Sequence, residues 1–335
     1  MKRLTPARLA AAGLVLLVVV GVVLWLAPSD SYIFLPDRAH PVAPLVSVAG
    51  GKDPTDGGGI YFVDVFVRKA SWLERLFPGI REGSTIVPAS VVQPPGVSEK
   101  ARRTEDLRAM SRSQEVAAAV ALRTLGYKVT ARATGVLVQD VARDAPAAGK
   151  LQPTDVIVSV DEHRVRTPSE LRSRLASRPV GTSFQIGVRR GNHLQEVTVR
   201  TVADPQRRGH PILGIFVGQA ATVSLPLHVR IDAGDVGGPS AGLAFALDIL
   251  EELGRDVDHG RRIAATGEID FDGTVEPIGG IQQKTIGVRE AGIHVFLVPA
   301  GENATEARRY ADGVRIIPVK NFQQALRALA TKPAS

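Results

Sequence analysis

Residues 237–242 read Gly-Gly-Pro-Ser-Ala-Gly and lead into an apolar run from Ala241 to Leu253. A serine at the first turn of a helix lies beside backbone N–H groups that have no intrahelical acceptor and carry partial positive charge. Such groups could stabilise the oxyanion formed if Ser240 attacked a carbonyl, with the N–H groups of Ser240 and Ala241 as the expected donors. A lone serine after a glycine turn is more often a helix N-cap, so the chemistry needs a base. Residues 278–284, Ile-Gly-Gly-Ile-Gln-Gln-Lys, form a second glycine turn opening a helix. Ile281, Lys284 and Val288 there recur at i, i+3 and i+7, which puts Lys284 on an apolar face. An amine in that place is either a snorkelling stem or a buried base. Burial disfavours its charged form and lowers a lysine pKa by up to ~3–5 units. A value near ~7.5 would suit a general base at neutral pH.

The 335 residues include 41 Lys and Arg against 34 Asp and Glu. Nine of the basic residues are lysine, and Lys284 is the single lysine from 151 to 319. Arginine is not deprotonated in a protein, so Lys284 is the one amine base open to that stretch. The chain has no cysteine, which excludes a thiol nucleophile, a thiolate zinc site and a disulfide scaffold. Four histidines, at 210, 228, 259 and 294, lie in the last segment, and Gly238-Pro-Ser240-Ala-Gly242 fits a G-x-S-x-G elbow. That elbow needs a strand running straight into its first glycine, whereas Asp232-Ala-Gly-Asp-Val236 follows the apolar stretch ending at Ile231. A histidine-based esterase using His228 or His294 is therefore the weakest reading.

These residues resemble the proteolytic domain of the Lon proteases, a serine-lysine dyad family. Ser240 stands at the place of the nucleophile and Lys284 at that of the dyad lysine, while Thr266-Gly-Glu-Ile269 resembles the family's Thr-Gly-Glu strand end. The resemblance implies that Thr266 hydrogen-bonds Lys284, and it continues through Gly273, Val275, Pro277, Ala291-Gly292, Val298-Pro299 and Asn303. Upstream, Gly59 to Val67 resembles the family's opening strands and Met110 to Ala121 its first long helix. One departure is Gly237, three before the serine, where the family often has an acidic residue; Asp235 is the expected partial substitute. No G-x-x-x-x-G-K-[ST] occurs, and Gly50-Gly51-Lys52 lacks the preceding spacing. The family's ATPase module is thus not expected here. The reading calls for no metal and no cofactor, and the resemblance suggests a homo-oligomeric ring.

Between the two halves of that pattern, Thr134-Gly-Val-Leu-Val138, Ala145-Pro-Ala-Ala-Gly149 and Asp155 to Val160 resemble a PDZ domain of bacterial envelope proteases. The resemblance implies that a peptide C-terminus adds as a strand beside Gly135, Val136 and Val138. Leu171 and Leu175 would line the same groove from a helix. Alternating valines and leucines at i, i+4 are equally what a small domain buries as core.

The elements that must carry these residues begin with an anchor. Leu9 to Ala27 is uncharged, and as a helix of 1.5 Å per residue it spans ~28 Å, close to a ~30 Å hydrocarbon core. Lys2, Arg3 and Arg8 precede it and Asp30 and Asp37 follow, so the positive-inside rule exports the remainder. No basic run interleaved with aromatics points to nucleic acid. The expected fold is α+β: an N-terminal cytoplasmic stretch and transmembrane helix over 1–28, a proline-rich linker over 29–44, a Lon-type domain split between 45–126 and 205–330, and an inserted PDZ domain over 127–203. Within it, 60–67 and 85–92 read as strands, 98–125 as one long helix ended by Gly126, and 241–253, 281–291, 303–311 and 321–330 as helices between apolar strands. The expected function is a single-pass membrane endopeptidase acting outside the cytoplasm on tails or misfolded exported chains. The alternative is an inactive, tail-binding adaptor.

Overall fold

The structure, a computed structural model, describes residues 6–51, 57–92, 99–142, 144–204 and 209–330. Lys2, Arg3, Lys52 and Ser98, which entered the sequence reading, lie outside them. The chain divides into two compact units: Met1–Tyr127 with Leu227–Ser335, and Lys128–Pro226.

The first unit opens with helix α1 (Pro6–Leu26), followed by strand β1 (Pro28–Pro36). The prolines that marked 29–44 as a linker are in part the ends of this strand, and between them Tyr32 and Ile33 are buried. The stretch 60–67 is likewise two strands and not one. Strand β2 (Gly59–Phe62) and strand β3 (Val65–Ser71) belong to different sheets, and Val63 and Asp64 carry the chain from one to the other. A short helix α2 (Trp72–Leu76) follows, and then β4 (Thr85–Pro88). The strand expected to reach residue 92 ends at Pro88, and Ala89–Val92 is helical. β1 lies between β3 and β4 in a three-stranded antiparallel sheet.

Helix α3 (Glu99–Thr124) matches its alanine-rich, glycine-free stretch. It stops where Gly126 takes φ +87° and the Tyr127 N–H turns back to the Leu122 carbonyl at 3.0 Å. Met110 and every residue from Ala117 to Leu122 are buried, so that stretch of the helix is enclosed on all sides.

The second unit holds β5 (Thr130–Val141), β6 (Val156–Val160), α4 (Pro168–Ala176), β7 (Ser183–Arg190), β8 (His193–Arg200) and β9 (Ile215–Ser224). Its sheet runs β8-β7-β6-β5-β9, with His163–Arg164 added on β6. The unit extends to Pro226, beyond residue 203, because β9 pairs antiparallel along the whole length of β5.

The chain then returns to the first unit with α5 (Gly242–Glu252), β10 (Arg262–Ala265), α6 (Ile281–Glu290), β11 (Val295–Pro299), α7 (Glu302–Arg309), β12 (Arg315–Val319) and α8 (Phe322–Ala330). β2, β10, β11 and β12 form a parallel sheet in that order, with His40–Pro41 antiparallel on the β2 edge. Parallel strands are covered on both faces and read as continuous apolar runs, as Val295–Pro299 does. α5 is buried along its length from Gly242 to Leu250 and packs against α3.

Candidate active site

Ser240 lies in the loop that enters α5, with Ala241 as the N-cap, so the helix starts one residue later than the sequence suggested. The loop is held from both sides. The Ser113 hydroxyl on α3 donates to the Pro239 carbonyl at 2.8 Å, and the Gly238 N–H donates to the Asp106 carbonyl at 2.8 Å. From the other side, the Ser240 carbonyl accepts from the Gly267 N–H at 2.8 Å and from Thr266 Oγ1 at 3.1 Å. Thr266 follows directly on the carboxyl end of β10, the end at which open α/β sheets build their sites. Gly267 must be glycine: its φ is +153°, and a Cβ there would come within 2.6 Å of Val275. Among the described residues, neither the Ser240 nor the Ala241 N–H donates a hydrogen bond.

Lys284 stands in the second turn of α6, which begins at Gly280 with φ +69°. A Cβ at Gly280 would meet Val65 at 2.7 Å, so this glycine lets α6 close on the chain between β2 and β3. Lys284 Nζ lies 2.7 Å from Ser240 Oγ and donates to Thr266 Oγ1 at 3.2 Å. The proton inventory fixes the roles. Thr266 spends its single O–H on the Ser240 carbonyl, so toward the amine it is an acceptor only. A neutral Lys284 that donates one N–H to Thr266 has its lone pair free to accept the Ser240 hydroxyl proton.

Lys284 is 3% exposed, and burial lowers its pKa from the ordinary 10.5 to about 8; the opposing influence is the charge of Asp64. Asp64 follows Val63 and precedes Val65, and these two residues lie against Gly287 and Gly280 on either side of Lys284 in α6. Its Oδ1 is buried without a hydrogen bond, 3.9 Å from His40 Nε2, which is itself 3.9 Å from Asp37 Oδ2. Burial and Asp37 push the Asp64 carboxyl up, while His40 and Lys284 pull it down.

Gly237 has no room for a side chain: a Cβ there would meet Asp106 Cβ at 2.7 Å, so the Cβ and backbone of Asp106 on α3 occupy that space. Burial raises the Asp106 carboxyl against the opposing charge of Arg102, 3.2 Å away. Asp235, the expected substitute, is 98% exposed and pairs with Arg103 at 3.1 Å. His228 and His294 are exposed, and the hydrogen-bond partner of Ser240 Oγ is an amine and not an imidazole. Asp64, Asp106 and Ser113 are the site residues that motif reading missed. Each is brought in by packing of a distant segment, and the alternation IYFVDVFV, broken by one carboxylate, was the one signal in the sequence.

The proposed peptide groove is corrected. Strand addition needs an open edge, and β5, which carries Gly135, Val136 and Val138, is paired on both sides. Val138 lies opposite Val217 and Gly135 opposite Ala220 on β9. Val136, Val138, Leu171 and Leu175 all belong to the buried core of the unit. The open edge on that side is β9, which lies beside α4.

A serine bonded to a buried amine that also donates to a strand-end threonine has the groups that serine-type peptide hydrolysis needs. Residues 217–332 match the Lon protease (S16) C-terminal proteolytic domain, and residues 123–201 match a PDZ domain. Lon protease 2 of Bacillus subtilis (strain 168) is 33% identical over 108 residues, 32% of this chain and 19% of that protein. Lon protease 1 of Sorangium cellulosum (strain So ce56) is 46% identical over 81 residues, 23% of this chain and 10% of that protein. The matched region thus spans under a fifth of either relative. A PDZ domain of an SdrC-like protein from Listeria innocua aligns at 31% identity over 26% of this chain and 96% of that one, with a TM-score of 0.24. The chain therefore carries a serine-type proteolytic domain of the Lon kind together with a PDZ domain.

Proposed function

We propose that the protein is a membrane-anchored endopeptidase working outside the cytoplasm with Ser240 as nucleophile and Lys284 as base. The observation that carries this reading is the 2.7 Å approach of the buried Lys284 amine to the Ser240 hydroxyl. Ser240 Oγ attacks the peptide carbonyl while Lys284 Nζ takes its proton. Collapse of the tetrahedral intermediate breaks the C–N bond, and Lys284 returns the proton to the leaving amine. Water then releases the acyl group by the same route in reverse. The N–H groups of Ser240 and Ala241, which have no other acceptor among the described residues, receive the oxyanion. With a pKa of about 8, about a tenth of the lysine is neutral at pH 7, against about three parts in ten thousand for an ordinary one.

The anchor is α1. Its backbone helix is 21 residues long with Arg8 its one charge, and large apolar side chains from Leu14 to Leu26 are exposed. Among the described residues no helix is long and apolar enough to cross a membrane; the reading rests on the uncharged stretch Leu9 to Ala27 of the sequence. A helix apolar all round, with its large side chains exposed over most of its described length, is matched by lipid. We place the catalytic unit on the far side from Arg8. No nucleotide loop takes part in the proposed reaction, so the substrates are chains already extended, such as tails and misfolded segments. The edge of β9 is the surface on which the second unit would receive them. The test is peptide hydrolysis by the purified full chain in detergent: loss in Ser240→Ala and Lys284→Ala supports the dyad, and hydrolysis persisting in Lys284→Ala overturns it.

A further inference from the structure

Directly after the helix end, the first unit presents an apolar surface that is left exposed among the described residues. Phe66 on β3, Trp72, Leu76 and Phe77 on and after α2, and Ile80 in the turn Pro78–Ile80 are each between 40% and 58% exposed. The surface is built and not frayed. Ser71 and Glu74 close a capping box, the Glu74 N–H to Ser71 Oγ at 3.2 Å and the Ser71 N–H to Glu74 Oε2 at 2.9 Å. The buried Glu74 carboxylate also takes Arg68 at 2.6 Å and Arg81 at 2.7 Å, which holds it well below the ordinary carboxylate range, at about 2. Two guanidiniums therefore share one carboxylate, and Arg75 pairs with Asp30, so Arg68, Arg75 and Arg81 together exceed Glu74 and Asp30 by one positive charge.

This ledge is continuous with α1. The Trp72 N–H donates to the Ala27 carbonyl at 3.0 Å, and α2 packs on α1. Each of the chain's two tryptophans, one from each part, has an arginine over its ring: Arg75 lies 5.1 Å over Trp72 and Arg81 lies 5.3 Å over Trp25. Indoles with arginine partners at the end of an apolar helix have the composition of a membrane-water interface, where the ring sits at headgroup level and the cation meets phosphate.

We propose that Phe66, Trp72, Leu76, Phe77 and Ile80 form a docking surface that lies in the headgroup layer of the bilayer entered by α1, with Arg75 and Arg81 facing the lipid phosphates. The inference rests on α1 being an anchor and adds to it that the catalytic unit is clamped against the membrane and does not swing on a tether. The clamp reaches the site. Gln283, the neighbour of Lys284, donates from Nε2 to the Gly83 carbonyl at 3.0 Å and to Thr85 Oγ1 at 2.9 Å, and Arg289 lies 3.6 Å from Glu82. The segment that follows the ledge is thus bonded to the catalytic helix, which fixes the dyad relative to the bilayer surface.

The two tryptophans make a direct test. The full chain is reconstituted into vesicles of phosphatidylcholine and phosphatidylglycerol containing lipids brominated at different depths, as Trp25→Phe, which leaves Trp72, and as Trp72→Phe, which leaves Trp25. The expected result is quenching of both, with Trp72 blue-shifted and quenched most by the shallowest bromines. Substituting Leu76 and Phe77 together by Glu in the Trp25→Phe background should abolish the Trp72 shift. If Trp25 is quenched and Trp72 is insensitive to brominated lipid, the docking surface is refuted while the anchor stands. If neither is quenched, the anchor itself is refuted. If Trp72 becomes shielded only as the protein-to-lipid ratio rises, a second copy covers the surface and the lipid assignment is overturned.

Discussion

Replacing Lys284 by Met should abolish hydrolysis and change stability in a pH-dependent way that distinguishes a buried base from a snorkelling stem. The folded amine titrates at about 8 and the ordinary one at 10.5. At about 1.4 kcal/mol per pH unit, holding this lysine costs the folded protein about 3 kcal/mol at neutral pH. The folded state binds fewer protons than the unfolded one between about 8 and 10.5, so stability rises with pH across that window and the full cost is felt below it. Met keeps the apolar stem and removes the charge. It also removes the contacts to Ser240 and Thr266, at roughly 1 kcal/mol each. Lys284→Met is therefore expected to be about 1 kcal/mol more stable than the parent at pH 7 and about 2 kcal/mol less stable at pH 11. Both tryptophans lie in the unit that holds Lys284, so urea unfolding followed by their emission reads the right transition. Groups that titrate in both proteins cancel in the comparison. A difference that does not change between the two pH values would refute the burial of the amine, and with it the argument that makes Lys284 a base.

Three further outcomes follow from the same geometry. Asp64→Asn removes the one charge that favours protonated Lys284, so the rise of activity with pH should move to lower pH by ~1 unit or less. Asp64→Glu should leave it in place, and a fall in rate without movement of the limb would reduce Asp64 to a packing role. Gly237→Asp, which would supply the acidic residue that related sites often have, should lower both stability and activity, because its Cβ meets Asp106 at 2.7 Å and overpacking costs about 1–3 kcal/mol; thermal unfolding and peptide hydrolysis check both. Leu175→Ala should destabilise the second unit by about 2–5 kcal/mol as a core truncation; a weakened peptide affinity at unchanged stability would restore Leu175 to a groove.

What the sequence disclosed and what it concealed divide by the range of the contacts. Ser240 and Lys284 were legible because each sits just after a glycine turn at the head of its own helix, so a local pattern states both the residue type and its placement. Thr266 was legible for the same reason, as the residue that ends an apolar strand. The strand β1 was not, because prolines at residues 28, 36, 41 and 44 carry the same signal in a linker as at strand ends, and what decides is pairing with β3 and β4, many residues away. The peptide groove failed for a related reason: whether β5 is an edge depends on where 215–224 goes, and periodicity within 130–141 says nothing of it.

Asp64 shows how the two ranges combine at the site. Its neighbours Val63 and Val65 were read as members of one strand, and the alternation alone would have sent Asp64 to solvent. The chain instead leaves one sheet for another at that point, and α6 closes on the crossing because Gly280 presents no side chain to Val65, while Gly287 admits the Asp37 carbonyl with Val63 beside it. The close approach at Gly280 brings the crossing, and with it the Asp64 charge, within electrostatic reach of the buried amine. Burial lowers the Lys284 pKa, and the charge of Asp64 opposes that descent. A base matched to neutral pH thus arises from two segments separated by some two hundred residues, one supplying the low dielectric and the other the counter-charge.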